Sequence, residues 1–351
     1  MKIVFFPVEC GSFHKKTLEE RPLGGIETGV IRLSEALASL DQDVFVVTQE
    51  EESFDSQPFY ISPQRANHLG QVDAVIIVRG WKGAFLPFDS KKRYYWTGDA
   101  WDNSHTFGIG DHRFIKKIDA LFPVSKWHAE TLCASSGFPY DKTFILRNGI
   151  YLPYFSTDEK RHRKRLIYSS TPGRGLKHLP SIFLELKQRH ADLELFVYSS
   201  FDRYSLNWPP IFYGDNPYEE LFNTLSKIPG CHLEGSIPQS HLAKEFMRAS
   251  ILAYPSDFEE TSCITVMEAQ AAGCAIVTSD LAALRETVGE AGILIPGEAG
   301  SLSYRKQFVE ACDLLLSDDT YFEKISAIGK KQALTYDWKI RAKELLSYLE
   351  V

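Results

Sequence analysis

Short, continuous apolar runs recur along the whole sequence, and segments with helical periodicity separate each from the next. In the first half the runs are 2–7, 44–48, 73–78, 93–96, 120–125 and 144–147. In the second half they are 165–169, 193–198, 231–234, 251–254, 275–278 and 291–295. Most do not alternate polar with apolar residues, which is the pattern of strands buried on both faces of a parallel sheet. Amphipathic helices fit between them, for example at 25–40, 176–190, 239–248 and 281–288. Such alternation predicts doubly wound α/β domains.

At 351 residues the chain has room for two such domains. The join is legible: Arg147-Asn148-Gly149 closes a run with a turn dipeptide, and the stretch from Tyr151 to Thr157 has no periodicity. Next come five fixed positive charges within Lys160–Arg165. They read as a solvated linker face, with a membrane-surface or polyanion patch as the alternative. The first domain is therefore placed at 1–155 and the second from 156 onward. Ligands of doubly wound sheets bind at the carboxyl ends of the strands, so two such domains predict a cleft.

Charged residues make up 24% and hydrophobic residues 44% of the chain, which excludes global disorder. The net charge of −7 argues against a protein that coats nucleic acid or an anionic bilayer. Cys10, Cys133, Cys231, Cys263, Cys274 and Cys312 stand singly, with no C-x-x-C pair, and read as reduced, intracellular, buried thiols. Glu9 follows the first apolar run at once, so that run reads as a strand and not as a signal peptide. No apolar stretch approaches the roughly 20 residues that span a bilayer. A soluble cytoplasmic protein, at most peripheral to a membrane, is the expectation.

The richest stretch is Tyr254–Gly273. A strand ends at Tyr254, a polar turn follows, and a helix is expected to open near Thr261–Ser262 on a hydroxyl cap and to stop at Gly273. Glu260 lies in the turn and Glu268 about 12 Å further along the axis, at roughly 80° in azimuth, so both can face one cleft. Amides around Ser262, Cys263 and Ile264 would point outward at the helix start as an anion site. An acid, an anion cradle and a second acid in line suit a sugar, a diphosphate and a ribose.

This stretch resembles the signature of the retaining family-four glycosyltransferases of GT-B fold, in which a Pro-Ser turn leads to E-x7-E, then Ala and a helix-ending Gly. Other motifs fall in the same order along nearly the whole chain. Leu23-Gly24-Gly25-Ile26-Glu27-Thr28 resembles the family's N-terminal glycine loop, and Val124-Ser125, Trp127 and Arg147–Ile150 resemble its late first-domain landmarks. Thr171-Pro-Gly-Arg174-Gly175-Leu176 resembles its phosphate turn; Gly235-Ser-Ile-Pro238 and Leu284-Arg285-Glu286 fall at its base-side loop and following helix. The resemblance implies two Rossmann-like domains facing across a cleft. The acceptor-side domain is 1–155, the nucleotide-sugar domain is 156–335, and the helix 336–351 crosses back onto the first.

By the same resemblance Glu268 holds the ribose hydroxyls, Glu260 contacts the transferred sugar, and Arg174 with the amides of Ser262, Cys263 and Ile264 holds the diphosphate. Gly24 and Gly25 belong to the donor site, Gly25 letting its backbone approach phosphate. No metal is implied, so fixed charges must offset the leaving diphosphate. Two departures stand out. Ser169 or Ser170 replaces an earlier cation of the phosphate turn, leaving Lys177 as a helper for Arg174. Gly98-Asp99 stands where relatives carry a histidine, which makes Asp99 the candidate on the acceptor side.

Several signals are discounted. Asp41-Gln42-Asp43 matches a metal-binding D-x-D but falls in a tight turn away from the active edge. Gly108-Ile-Gly110 lacks the context of a dinucleotide loop, and the histidines show no zinc spacing. Tyr94, Tyr95, Trp96, Trp101 and Phe107 read mainly as core, with an acceptor-stacking platform as the alternative.

The expected function is transfer of a sugar, with retention, from a nucleotide donor such as a UDP- or GDP-hexose to a hydroxyl acceptor. That acceptor is a glycan, a lipid-linked sugar or a small molecule. No cofactor and no nucleic acid are implied. A nucleotide-sugar epimerase, a phosphorylase or a non-catalytic sugar-nucleotide binding protein would use the same groups and stays open here.

Overall fold

The computed structural model describes residues 1–201 and 216–350. The chain divides into two compact units: Met1–Tyr151 with Tyr336–Val351, and Leu152–Thr335. The first holds a six-stranded, all-parallel sheet of β1 (Lys2–Val8), β2 (Asp43–Val47), β3 (Phe59–Ile61), β4 (Val72–Arg79), β5 (Ser90–Trp96) and β6 (Ala120–Phe122). Their spatial order is β3-β2-β1-β4-β5-β6. The second unit repeats the plan with β7 (Arg165–Ser169), β8 (Glu194–Tyr198), β9 (Cys231–Leu233), β10 (Ile251–Tyr254), β11 (Ala275–Ser279) and β12 (Gly292–Ile295). Their order is β12-β11-β10-β7-β8-β9, which is the same crossover pattern.

Successive strand residues point to opposite faces, and the first core divides accordingly. Ile3, Phe5, Ala74, Ile76, Val78, Tyr94 and Trp96 pack on one face, whereas Val4 and Val75 and Ile77 and Tyr95 pack on the other. Helix Gly25–Ala38 covers the first face with Val30, Leu33 and Leu37, at the spacing of a helical stripe. Helix Trp338–Leu349 lies on the same face through Trp338, Ala342, Leu345 and Leu349. The returning chain comes close: a Cβ at Gly149 would lie 2.7 Å from the Trp338 ring and 2.8 Å from the Tyr336 carbonyl.

Three sequence expectations need correction. β3 was not expected; it is three residues long, follows Pro58 and lies at the sheet edge, where proline's missing donor is tolerated. Residues 144–147 form no strand: Phe144 and Leu146 donate amides to the Leu121 and Pro123 carbonyls, but only an isolated bridge at Thr143 results.

The third correction is the basic run, which is not a solvated face. Arg161 donates to the carbonyls of Ala249 and Ala272, at the ends of two helices. Arg163 bonds the Leu315 carbonyl at 2.8 Å, pairs with Asp319 at 2.9 Å and stacks 3.8 Å over Phe322. Lys164 reaches His190 at 2.8 Å, and buried Arg165 pairs with Glu245. Helix C-termini leave carbonyls unsatisfied and carry partial negative charge. The run clamps those ends, and only Lys160 and His162 of its side chains are exposed.

All six cysteines are free thiols, four buried and two, Cys10 and Cys231, half-buried. Among the described residues no helix is long and apolar enough to cross a membrane.

Candidate active site

In the second unit β7 and β10 are neighbours whose connections run in opposite directions, so their carboxyl ends form a topological switch point. Each of these strands delivers a buried tyrosine to that edge, with ring centroids 5.6 Å apart. Tyr168 donates its hydroxyl to the Thr171 and Arg174 carbonyls at 2.9 and 3.1 Å, which fixes the turn after β7. Tyr254 donates to Glu260 Oε1 at 2.6 Å and lies 3.3 Å from the Ser170 hydroxyl. Burial pushes both phenols well above their usual range, so they act as donors.

Arg174 and Glu260 form an ion pair between Nη1 and Oε2. The Arg174 guanidinium also lies 4.0 Å over the Phe258 ring, while Glu260 is buried at 5% exposure. Burial opposes the arginine's charge, but Glu260 beside it raises its pKa above the usual value. Glycine at 175 is required: φ is +85°, and a Cβ would fall 2.0 Å from the Pro255 carbonyl oxygen. The turn after β7 thus lies directly against the turn that carries Glu260.

The following helix runs Ile264–Ala272 and stops at left-handed Gly273. Its start corrects the sequence reading: Cys263, not Thr261 or Ser262, is the N-cap, and no side-chain hydrogen bond caps it. The weakly accepting Cys263 sulfur faces the Val266 and Thr265 amides. No acidic residue stands in the first turn. Among the described residues no carboxylate or side-chain oxygen caps the amides of this end. Thr265 ties the end to β7 through the Ser169 carbonyl at 3.0 Å.

Glu268 is also 5% exposed, and its pKa is pushed up to about 7 by burial, against a lowering hydrogen bond from Gln239. That bond, from Nε2 to Oε1, is 2.5 Å long. The two glutamates are thus separately partnered, one by Arg174 and Tyr254 and the other by Gln239. Lys177 pairs with Asp257 at 2.7 Å, which also meets His178 at 3.1 Å.

In the first unit the corresponding switch point lies between β1 and β4. Helix Gly25–Ala38 starts from Gly24 as N-cap, and its first turn carries buried Glu27. Glu27 accepts from the Gly11 amide at 3.1 Å and lies 3.8 Å from Arg79. Arg79 pairs with Asp99 at 3.1 Å; Asn103 reaches the same carboxylate at 3.4 Å, and so does the Thr97 hydroxyl. Asp99 therefore holds Arg79 with its carboxylate. His128 is fully buried; its Nδ1 accepts from the Val124 amide at 3.2 Å and its Nε2 donates to the Asp99 carbonyl at 2.8 Å. Burial lowers its pKa to about 4, so it stays neutral.

Tyr94, Tyr95 and Trp96 are core, whereas Trp101 and Phe107 are exposed. Asp41 and Asp43 lie at the start of β2, the edge opposite the switch point. Arg79, Glu27, Tyr254 and Gln239 were passed over as site residues in the sequence. The signal for Arg79 and Tyr254 was available: each ends a strand that borders a switch point. Gln239 had none, being 29 residues from its partner.

The structure of HepE from Anabaena with UDP and glucose superposes with a TM-score of 0.72 at 14% identity, covering 100% of both chains. WaaG, a glycosyltransferase involved in lipopolysaccharide biosynthesis, gives 0.67 at 14% identity over 99% of both chains. Two parallel six-stranded sheets of this order define the class: the chain has the GT-B fold. Residues 187–318, all in the second unit, match the family model for Glycosyl transferases group 1. Phosphatidyl-myo-inositol mannosyltransferase of Mycobacterium tuberculosis is 25% identical over 183 residues, which is 51% of this chain and 44% of that relative. The match thus spans less than half the length of that relative. The second-unit sequence is thus similar to the group 1 glycosyltransferases, and the whole chain shares their GT-B fold.

Proposed function

We propose that the protein is a metal-independent glycosyltransferase that moves a hexosyl unit, with retention, from a nucleoside-diphosphate donor to a hydroxyl acceptor in glycolipid or polysaccharide assembly. The observation that carries this reading is the helix end at Cys263, which no described side chain caps, beside the Arg174–Glu260 pair. A diphosphate there accepts from the amides of Ser262, Cys263 and Ile264 and from the planar donors of Arg174. Glu268, further along the helix, accepts from the ribose hydroxyls. As the bond between the anomeric carbon and the phosphate oxygen breaks, charge builds on that oxygen, and fixed groups offset it without reorganisation. Glu260, oriented by Tyr254, faces the sugar. The acceptor oxygen attacks the same face, and its proton passes to the departing phosphate oxygen. Asp99 has its oxygens occupied by Arg79, Asn103 and Thr97, which supports the phosphate as the base.

Incubation with labelled UDP- and GDP-hexoses and hydroxyl acceptors tests this. A new glycoside plus free nucleoside diphosphate is expected, at a rate that survives EDTA. Glu268→Gln should raise donor KM, and Glu260→Gln should lower kcat more than it raises KM. An isomerised sugar nucleotide, or binding without turnover, would replace transfer with epimerisation or sensing. Activity lost in EDTA and restored by manganese would overturn the metal-free reading.

A further inference from the structure

We propose that Gln239 is a positioning residue for the nucleotide, holding one oxygen of Glu268 so that the other, together with its own carbonyl oxygen, accepts from a vicinal diol. The proposal rests on the reading of Glu268 as the ribose contact. Gln239 is the first residue of helix Gln239–Arg248, set there by Pro238 at the N-cap. Its Nε2 donates to Glu268 Oε1 at 2.5 Å, and its Oε1 is buried with no hydrogen-bond partner. With Glu268 ionised, the opposite amide orientation would set oxygen against oxygen, so the carboxylate form requires this one. Glu268 is 5% exposed and receives no second hydrogen bond from the described residues. Two neighbouring acceptors lacking donors are what a ribose diol, with two hydroxyl donors, would complete. A 2′-deoxyribose would leave one unmet.

The same bond sets the charge on Glu268. Burial raises its pKa and the Gln239 amide lowers it; no charged side chain contributes. Charges on the surrounding elements are engaged elsewhere. On the helix of Gln239, Glu245 and Arg248 pair with Arg165 and Glu159, while His241 and Lys244 are exposed. Arg161 and Lys330 lie at Gly273, Arg285 pairs with Asp280, and Glu260 pairs with Arg174. Glu268 therefore changes charge near pH 7, and an ionised carboxylate is the stronger acceptor for hydroxyls.

Calorimetric titration of the full chain with UDP, GDP and ADP, and with the 2′-deoxy form of the tightest, between pH 5.5 and 8.5 tests this. Wild-type affinity should rise as pH increases through about 7 and should be about tenfold lower for the 2′-deoxy ligand. Gln239→Met keeps the volume and removes the amide, and it should weaken ribonucleotide binding about tenfold and move the midpoint upward. Gln239→Glu places a like charge there and should move the midpoint further. Wild-type binding with a Gln239→Met profile superimposable on it, or with the two ligands bound equally, overturns the role of Gln239 and leaves the donor site standing. Absence of binding by all three diphosphates at every pH overturns both.

Discussion

The first and second units share one strand order, so each presents a switch point at the carboxyl ends of two neighbouring strands: β1 and β4 in one, β7 and β10 in the other. In the first unit the adjoining helix brings its own anion. Glu27, in the first turn, lies where the dipole favours negative charge, and its neighbour Arg79 is also claimed by Asp99. In the second unit the helix start has neither acid nor side-chain cap, and Arg174 faces one carboxylate. Topology offers an anion site in both units, but among the described residues an acid stands at the helix start in one and none in the other. That difference, more than the fold, is what favours the second unit for the proposed diphosphate.

The sharpest way to break the comparison is to remove each arginine. Arg174→Ala should lower turnover about 10²–10³-fold, the usual loss when one preorganised charge stabiliser is deleted. Calorimetry should show weakened nucleoside-diphosphate binding. Arg79→Ala should leave diphosphate affinity unchanged and alter only acceptor kinetics. Equal loss of diphosphate binding in both variants would mean that the two edges share the anion.

Much of the fold was legible in the sequence, this contrast was not, and the reasons are physical. Strands buried on both faces announce themselves as apolar runs, and Glu260, Arg174 and Glu268 lie close to landmarks such as Gly175 and Gly273. The hydroxyl cap failed because Thr261 and Ser262 belong to the turn that carries Glu260, and the helix begins only beyond Cys263. The charges of Lys160–Arg165 gave no hint of their partners, since the helix ends they clamp come from residues such as Ala249, Ala272 and Leu315. Tertiary hydrogen bonds across such separations leave no periodicity to read.

Titration offers a second contrast, of about 3 kcal/mol in each unit, taken as the pKa displacement times 1.36 kcal/mol per unit. Folded His128 titrates near 4 against 6.5 when unfolded. The unfolded chain therefore takes up a proton that the folded one refuses, and stability present above pH 6.5 is lost as pH falls toward 4. Folded Glu268 titrates near 7 against 4.5. Here the unfolded chain releases a proton that the folded one keeps, so stability present below pH 4.5 is lost as pH rises toward 7. Trp81, Trp96, Trp101, Trp127 and Trp338 all belong to the first unit, so fluorescence-detected urea unfolding reports chiefly on it. His128→Gln should flatten the acid limb of that signal. Glu268→Gln should flatten the opposite slope in circular dichroism, and a fluorescence profile indifferent to His128 would remove this contrast.

The smallest effect probes the cause of the difference most directly. Glu27→Gln keeps an oxygen to accept the Gly11 amide but removes the charge from the start of the first unit's helix. The lost charge–dipole interaction amounts to about 0.3–1 kcal/mol, read as a lower melting temperature. With that carboxylate neutral, Arg79 loses one of its two acids and the helix start loses its internal anion. The first unit should then resemble the second and gain weak, salt-sensitive binding of inorganic phosphate, measurable by titration against an Arg174→Ala background in which the second unit's site is disabled. Phosphate binding unchanged by Glu27→Gln would show that the two edges differ in shape and not in charge.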